Sequence, residues 1–128
     1  MENRERYITV IENYISTYNR FDVKGMCRDL SEDILFENIS DGNVDMSIKG
    51  IENFKKQAEA ATAYFSERHQ RIDSWNFNNH VVTIEISYQA TLAIDLPNGM
   101  KKGNMLTLKG ISEFVFEDHE IISLRDIS

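Results

Sequence analysis

The chain has 128 residues, with 14 Lys and Arg against 21 Asp and Glu, a formal charge of −7 and a single cysteine. A chain of this length buries about two-thirds of the surface it exposes when unfolded, enough for a core without disulfide or metal staples, and 41% hydrophobic with 27% charged residues excludes a disordered or collagen-like polypeptide. The acidic balance repels phosphate backbones, and the adjacent basic pairs are only Lys55-Lys56 and Lys101-Lys102, so nucleic acid is not an expected partner.

Met1 to Arg6 are charged and lack a signal-peptide core, and no later window approaches the ~18 uninterrupted apolar residues of a membrane span. The expectation is a soluble, cytoplasmic protein without membrane association. Cys27 reads as a small buried hydrophobe. His69, His80 and His119 are too far apart for metal-ligand spacing, so no metal and no cofactor is expected.

Tyr7, Val10, Ile11, Tyr14, Ile15 and Tyr18 recur at three- and four-residue steps and predict an amphipathic helix over about 3–19. Asp22 reads as the N-cap of a short second helix with Val23, Met26, Cys27 and Leu30 on one face, followed by an extended run from Ile34 to Ile39. Ser40-Asp41-Gly42-Asn43 is a turn, and a linking segment leads to a third helix over about 51–65, carrying Ile51, Phe54, Ala58, Ala61 and Phe65.

Beyond Glu67 the period becomes two. From His80 to Ile94, Val82, Ile84, Ile86, Tyr88, Ala90, Leu92 and Ile94 share one face. Asn78-Asn79 and Pro97-Asn98-Gly99 supply turns on either side. Strands over about Met105–Glu117 and Glu120–Ile127 follow, joined at Asp118-His119. Trp75 and Phe77 can face either side. The whole chain, 1–128, reads as a single α+β domain, helices first and an antiparallel meander after. Fifteen strand residues from His80 to Ile94 would extend some 50 Å at about 3.3 Å each, against a domain diameter of roughly 36 Å. The sheet must therefore bend, with its concave side filled by helices or enclosing a hollow suited to a small ligand.

Strand parity selects the groups that face this hollow. Asn38 follows Phe36 inward; Ser112 joins Leu108, Phe114 and Phe116; Asp126 joins Ile122 and Leu124. Asp126 is the carboxylate that parity aims at the hollow from the final strand. If enclosed by Leu124, Phe114 and Ile86, its pKa rises toward neutrality, suited to general acid or base work; a solvated carboxylate or a salt bridge to Arg125 is the alternative. Ser112 has no His nearby and suits a hydrogen bond rather than nucleophilic attack. Tyr14 is a core aromatic or a hydrogen-bond donor to ligand.

Order and spacing along the chain resemble the cone-shaped superfamily of nuclear transport factor 2, ketosteroid isomerase and the SnoaL-like polyketide cyclases. The stretches that carry the resemblance are Tyr14 to Asp22 running into Gly25, Asp33 to Asn38, Gly50 to Phe54, and Gly110 to Phe116 leading through Ile121-Ile122 to Arg125-Asp126. The resemblance implies three helices in the concave face of a strongly curved antiparallel sheet, a cone-shaped barrel. Ketosteroid isomerase uses a carboxylate base with a tyrosine and a protonated aspartic acid as oxyanion donors. A gap-free match from Val10 to Ile39 places that tyrosine on Tyr14 and the base on Asn38; the second acid falls on Ser112. An amide can hold a hydrogen bond but cannot take a proton from carbon near pH 7, so isomerisation by that mechanism is not expected. In the SnoaL-like cyclases an acidic residue near the end of the fold acts as acid/base, and Asp126 is the comparable group here.

Three functions stay open. The first is a binding protein for a small, largely apolar molecule, its cone lined by Tyr14, Tyr18, Phe36, Asn38 and Phe54 from one side. Ile86, Tyr88, Ser112, Phe114 and Leu124 complete that lining. The second is a cofactor-independent acid/base enzyme of the cyclase, isomerase or dehydratase kind, with Asp126, Tyr14 and Asn38 as catalytic groups. The third is a protein-interaction adaptor with a filled cone. The predicted outer sheet face mixes Lys109, Glu113, Glu85 and Gln89 with Ile111, Val115 and Val81. Together with the resemblance, this implies a homodimer through that face.

Overall fold

Apolar residues at helical spacing and then at period two resolve, in the computed structural model, into helices packed within one six-stranded sheet; residues 2–128 are described. The elements are α1 (Glu2–Asn19), α2 (Val23–Met26), β1 (Leu30–Ser40), β2 (Asn43–Lys49), α3 (Ile51–Thr62), β3 (Phe65–Asn78), β4 (Val81–Leu92), β5 (Met105–Glu117) and β6 (Glu120–Ile127). Strand order is β2-β1-β6-β5-β4-β3. The expected all-antiparallel sheet needs correction: β6 enters between β1 and β5 and runs parallel to β1, so the sheet is mixed. Ile121 and Leu124 of β6 are fully buried, the position a strand earns by being covered on its inner face and paired along both edges.

Three local expectations also change. The second helix ends at Met26 because Leu30 pairs with Ile121 and the Ile121 amide donates to the Asp29 carbonyl at 2.9 Å. The third helix ends at Thr62, and Phe65 opens β3 opposite Leu92. The predicted link after the first turn is strand β2, where Val44, Met46 and Ile48 alternate with polar residues at an exposed edge. In each case strand pairing overrides local helical or turn preference.

Inward-facing residues form continuous rows across the sheet. One row is wholly apolar: Ile48, Phe36, Leu124, Phe114, Val82 and Phe77 are successive cross-strand partners. The next row reads Met46, Asn38, Asp126, Ser112, Ile84 and Trp75. A bulge between Ile72 and Ser74 shifts the parity of β3 and turns Trp75 and Phe77 inward. A second bulge near Phe116 makes Ile121, rather than Ile122, the inward partner of the core. Such extra residues bend a sheet locally.

α1 lays Tyr7, Val10, Ile11, Tyr14 and Ile15 into the concave face, and α3 contributes Phe54. One end of the cone is packed shut, with Tyr7 stacked on Phe116 at 4.0 Å and Trp75 on Phe77 at 5.8 Å. Toward the other end β3, β4 and β5 run on past the last residue of β6, since Ile111 already pairs with Ile127. The overhanging arm leaves a gap that its own side chains do not close. Among the described residues no helix is long and apolar enough to cross a membrane.

The turn from α1 to α2 is tight. The Asp22 carboxylate accepts from the Gly25 amide at 2.9 Å, and a Cβ on Gly25 would stand 2.5 Å from Asp22 Oδ2 and 2.6 Å from the Thr17 methyl. Thr17 is buried and tied to the carbonyls of Asn13 and Tyr14, so it has no room to move aside. Gly25→Ala is expected to lower stability by about 1–3 kcal/mol, read as the urea midpoint; an unchanged midpoint would contradict this packing.

Candidate functional site

The cavity lies where α1, α3 and the open end of the sheet meet. Its inner lobe has a volume of about 190 Å³ and is walled by Tyr14 and Tyr18 of α1, Phe36 and Asn38 of β1, Phe54 of α3, and Asp126 of β6. An outer lobe of about 420 Å³ shares Tyr18, Asn38, Met46, Phe65 and Asp126 with it and adds Ile86, Tyr88 and Leu108 from the overhanging arm. The lobes thus form one hollow, in the size range of small-molecule sites.

The polar row of the sheet supplies the floor. Asn38 and Asp126 are paired across β1 and β6, and Asp126 and Ser112 across β6 and β5. Ser112 Oγ donates to Asp126 Oδ1 at 2.7 Å. Asn38 Nδ2 points toward Met46 Sδ at 3.9 Å, a weak contact that leaves the amide free to bond elsewhere. Burial pushes the Asp126 carboxyl up to about 6, against a smaller opposing effect of the Ser112 hydrogen bond. Arg125 does not neutralise it, because it faces the other side of the sheet between Glu37 at 3.5 Å and Glu113 at 3.4 Å.

Tyrosines form the opposite wall. Burial, reinforced by the Asp126 charge, raises the Tyr14 hydroxyl well above its ordinary value. It is thus a neutral donor at any physiological pH. Tyr18 Oη donates to Tyr88 Oη at 3.1 Å, and burial likewise raises both. Tyr14 is held edge-on to Phe114 at 5.9 Å and Phe54 edge-on to Phe36 at 5.5 Å, so rings beneath the wall fix the rings in it.

Seven of the ten expected lining residues, Tyr14, Tyr18, Phe36, Asn38, Phe54, Ile86 and Tyr88, border the hollow. Phe114 and Leu124 do not. Both are fully buried in the apolar row one pleat away and act as the bed of the site. Ser112, also buried, reaches the cavity through Asp126 rather than directly. Leu108 keeps its inward parity but is 51% exposed, because it stands on the overhanging arm.

Sequence reasoning missed Arg68 and Gln70 of β3. Both are buried, Arg68 at 5% exposure and Gln70 at 8%. Arg68 borders the inner lobe and Gln70 the outer. They alternate with Ile72 in period two, a signal that becomes readable once the β3 bulge sets the register. Met26, Met46, Gln57, Ala58, Ala61 and Phe65 complete the missed lining of the inner lobe. Among the described residues no cluster of three His, Cys, Asp or Glu gathers at metal-binding distance.

Comparison with known proteins places this geometry in a family. No curated protein matches the sequence. The structure of a proposed polyketide cyclase from Xanthomonas campestris pv. campestris superposes with TM-score 0.83 and 19% identity, over 98% of this chain and 92% of that one. A proposed SnoaL-like polyketide cyclase from Jannaschia sp. CCS1 gives 0.78 with 10% identity, over 95% and 84% of the two chains. TerC, co-crystallised with polyporic acid, gives 0.75 with 15% identity, over 95% and 90%. At these identities the likeness is one of fold. The SnoaL-like domain itself matches in sequence from residue 11 to 124, nearly the full length of the chain, and the protein belongs to that family.

Proposed function

We propose that the protein takes a small, largely apolar molecule into the cone and acts on it by cofactor-independent acid/base chemistry centred on Asp126. The observation that carries this reading is a carboxyl in the cavity wall, bonded to Ser112 and facing the same lobe as Tyr14 and Asn38; burial pushes its pKa up to about 6, where it can hold or release a proton near neutral pH. Tyr14 and Asn38 border the same lobe and serve as hydrogen-bond donors to an oxygen on which negative charge develops. Against the resemblance to ketosteroid isomerase, the carboxylate has moved sideways by one strand, from the position of Asn38 to its cross-strand partner Asp126. Proton transfer is retained in this arrangement, with a different approach to the substrate. An open hollow argues against the adaptor with a filled cone, and the TerC complex with polyporic acid supports a small organic ligand for this fold.

The same proposal includes a cytoplasmic location, one domain spanning the chain, and a homodimer through the outer sheet face. That face carries Ile111, 37% exposed, beside Val81 and Val115, with Glu85 and Lys109 among them. Light scattering during size exclusion at about 100 μM is expected to give twice the chain mass; a monomer at that concentration removes the dimer.

Cavity binding is testable without knowing the substrate. Ala58 borders the inner lobe, and Ala58→Trp fills it. Calorimetric titration with 2-naphthamide, a flat neutral probe, is expected to show saturable binding that this variant weakens about tenfold or more. Binding unaffected by Ala58→Trp would place the probe outside the cone and contradict the reading.

A further inference from the structure

Among the described residues Arg68 is a buried cation without a carboxylate partner. The ion pairs among the described residues involve other groups. Its Nε donates to the Tyr18 carbonyl at 2.8 Å, and the guanidinium carbon lies 3.8 Å from the Tyr18 ring centroid and 4.5 Å from that of Phe21. The guanidinium thus packs on two aromatic rings, with Nη2 buried and without a hydrogen-bond partner among the described residues. Phe21 holds its side of the clamp from a φ of 60°, a left-handed conformation that disfavours a bulky residue. Asn19 fixes the same corner by exchanging two hydrogen bonds with the Gln70 backbone at 2.7 and 3.0 Å.

A buried guanidinium with an idle N–H group is costly unless something satisfies it. Aromatic faces offset part of that cost but accept no hydrogen bond. Arg68 borders the inner lobe and, beside Phe21, a separate surface hollow lined by Glu67 and His69; the inner lobe is the one it shares with Tyr14, Asn38 and Asp126, and a ligand there is a partner within reach. Asp126 does not fill the role, since among the described residues no ion pair joins it to Arg68 and its carboxylate accepts from Ser112 instead. Gln70 Oε1, in the wall of the outer lobe, is likewise buried without a partner.

We infer that the cone selects molecules carrying an anionic oxygen group, a carboxylate or an acidic enol or phenol, and that the Arg68 guanidinium binds that group while the apolar walls hold the remainder. This rests on the small-molecule reading of the cavity and adds the charge class of the ligand. Guanidinium suits such a group because its planar fork donates two parallel hydrogen bonds to paired oxygens.

The test compares 2-naphthoate with 2-naphthamide, which share shape and differ in charge, by calorimetry on the full chain. The carboxylate is expected to bind about tenfold or more tightly. Arg68→Met, which keeps an apolar stem against the two rings, is expected to abolish that preference; Arg68→Lys is expected to retain part of it. Equal binding of the two probes to the unaltered protein overturns the inference while the cavity reading stands. A preference that survives Arg68→Met overturns the assignment to Arg68. If neither probe binds, both the inference and the cavity reading fall. The comparison on the unaltered protein decides the charge class even if a variant does not fold.

Discussion

Insertion of the last strand between the first and the fifth aligns three chain-distant residues, Asn38, Asp126 and Ser112, on adjacent strands facing the concave side. Register in a sheet has a period of two, so a slip of one residue would turn all of them outward and bring Glu37, Arg125 and Glu113 in. The apolar row immediately beside them prevents that slip. Moving Leu124 and Phe114, both without solvent exposure, to the outer face would cost about 1.5–3 kcal/mol for each side chain. The floor of the site is therefore held by its neighbours' hydrophobicity more than by its own hydrogen bond.

The same geometry explains why a charged floor is tolerated. The overhang of β3, β4 and β5 beyond β6 leaves the cavity open on one side, so Asp126 is desolvated without being sealed from an incoming molecule. Arg68 stands in the same lobe, clamped by aromatic rings. A desolvated carboxyl and a guanidinium are thereby placed in one small volume. Both cost stability in the absence of ligand, as functional groups in preorganised sites commonly do.

Much of this architecture was legible in the sequence. Helical spacing in α1 and alternation in β4 each follow from a single strong period, and parity along one strand was enough to put Asn38, Ser112 and Asp126 on the inner face. What escaped depends on pairing between distant segments. The parallel partner of β1 is 88 residues away in the chain, Phe36 pairing with Leu124 and Asn38 with Asp126, at a separation that no local pattern encodes. The bulge at Ile72–Ser74 decided the facing of Trp75 and Phe77 and, with it, the inward parity of Arg68 and Gln70. A charged residue alternating with apolar ones reads as an outward one until its register is known. Parity alone places Phe114 and Leu124 in the lining, because it gives the side of the sheet a residue faces, while depth within the cone is set by how the helices cover it.

The central claim is that the Asp126 carboxyl is desolvated in the cavity wall and holds its proton to near neutrality. A carboxyl whose folded-state pKa of about 6 exceeds its value of 3.8 in the unfolded chain binds its proton more tightly when folded. Its stabilising effect is full below the unfolded value and is lost as pH rises through 6. At pH 8 the ionised group then costs roughly 3 kcal/mol relative to its protonated form. Asp126→Asn carries no charge and can still accept from Ser112. Urea unfolding of the two proteins from pH 4 to pH 8 is the direct measurement. The account predicts similar stability at pH 4 and a variant more stable by up to about 3 kcal/mol at pH 8. Parallel curves across that range would mean that Asp126 titrates as an ordinary solvated carboxylate, and would contradict it.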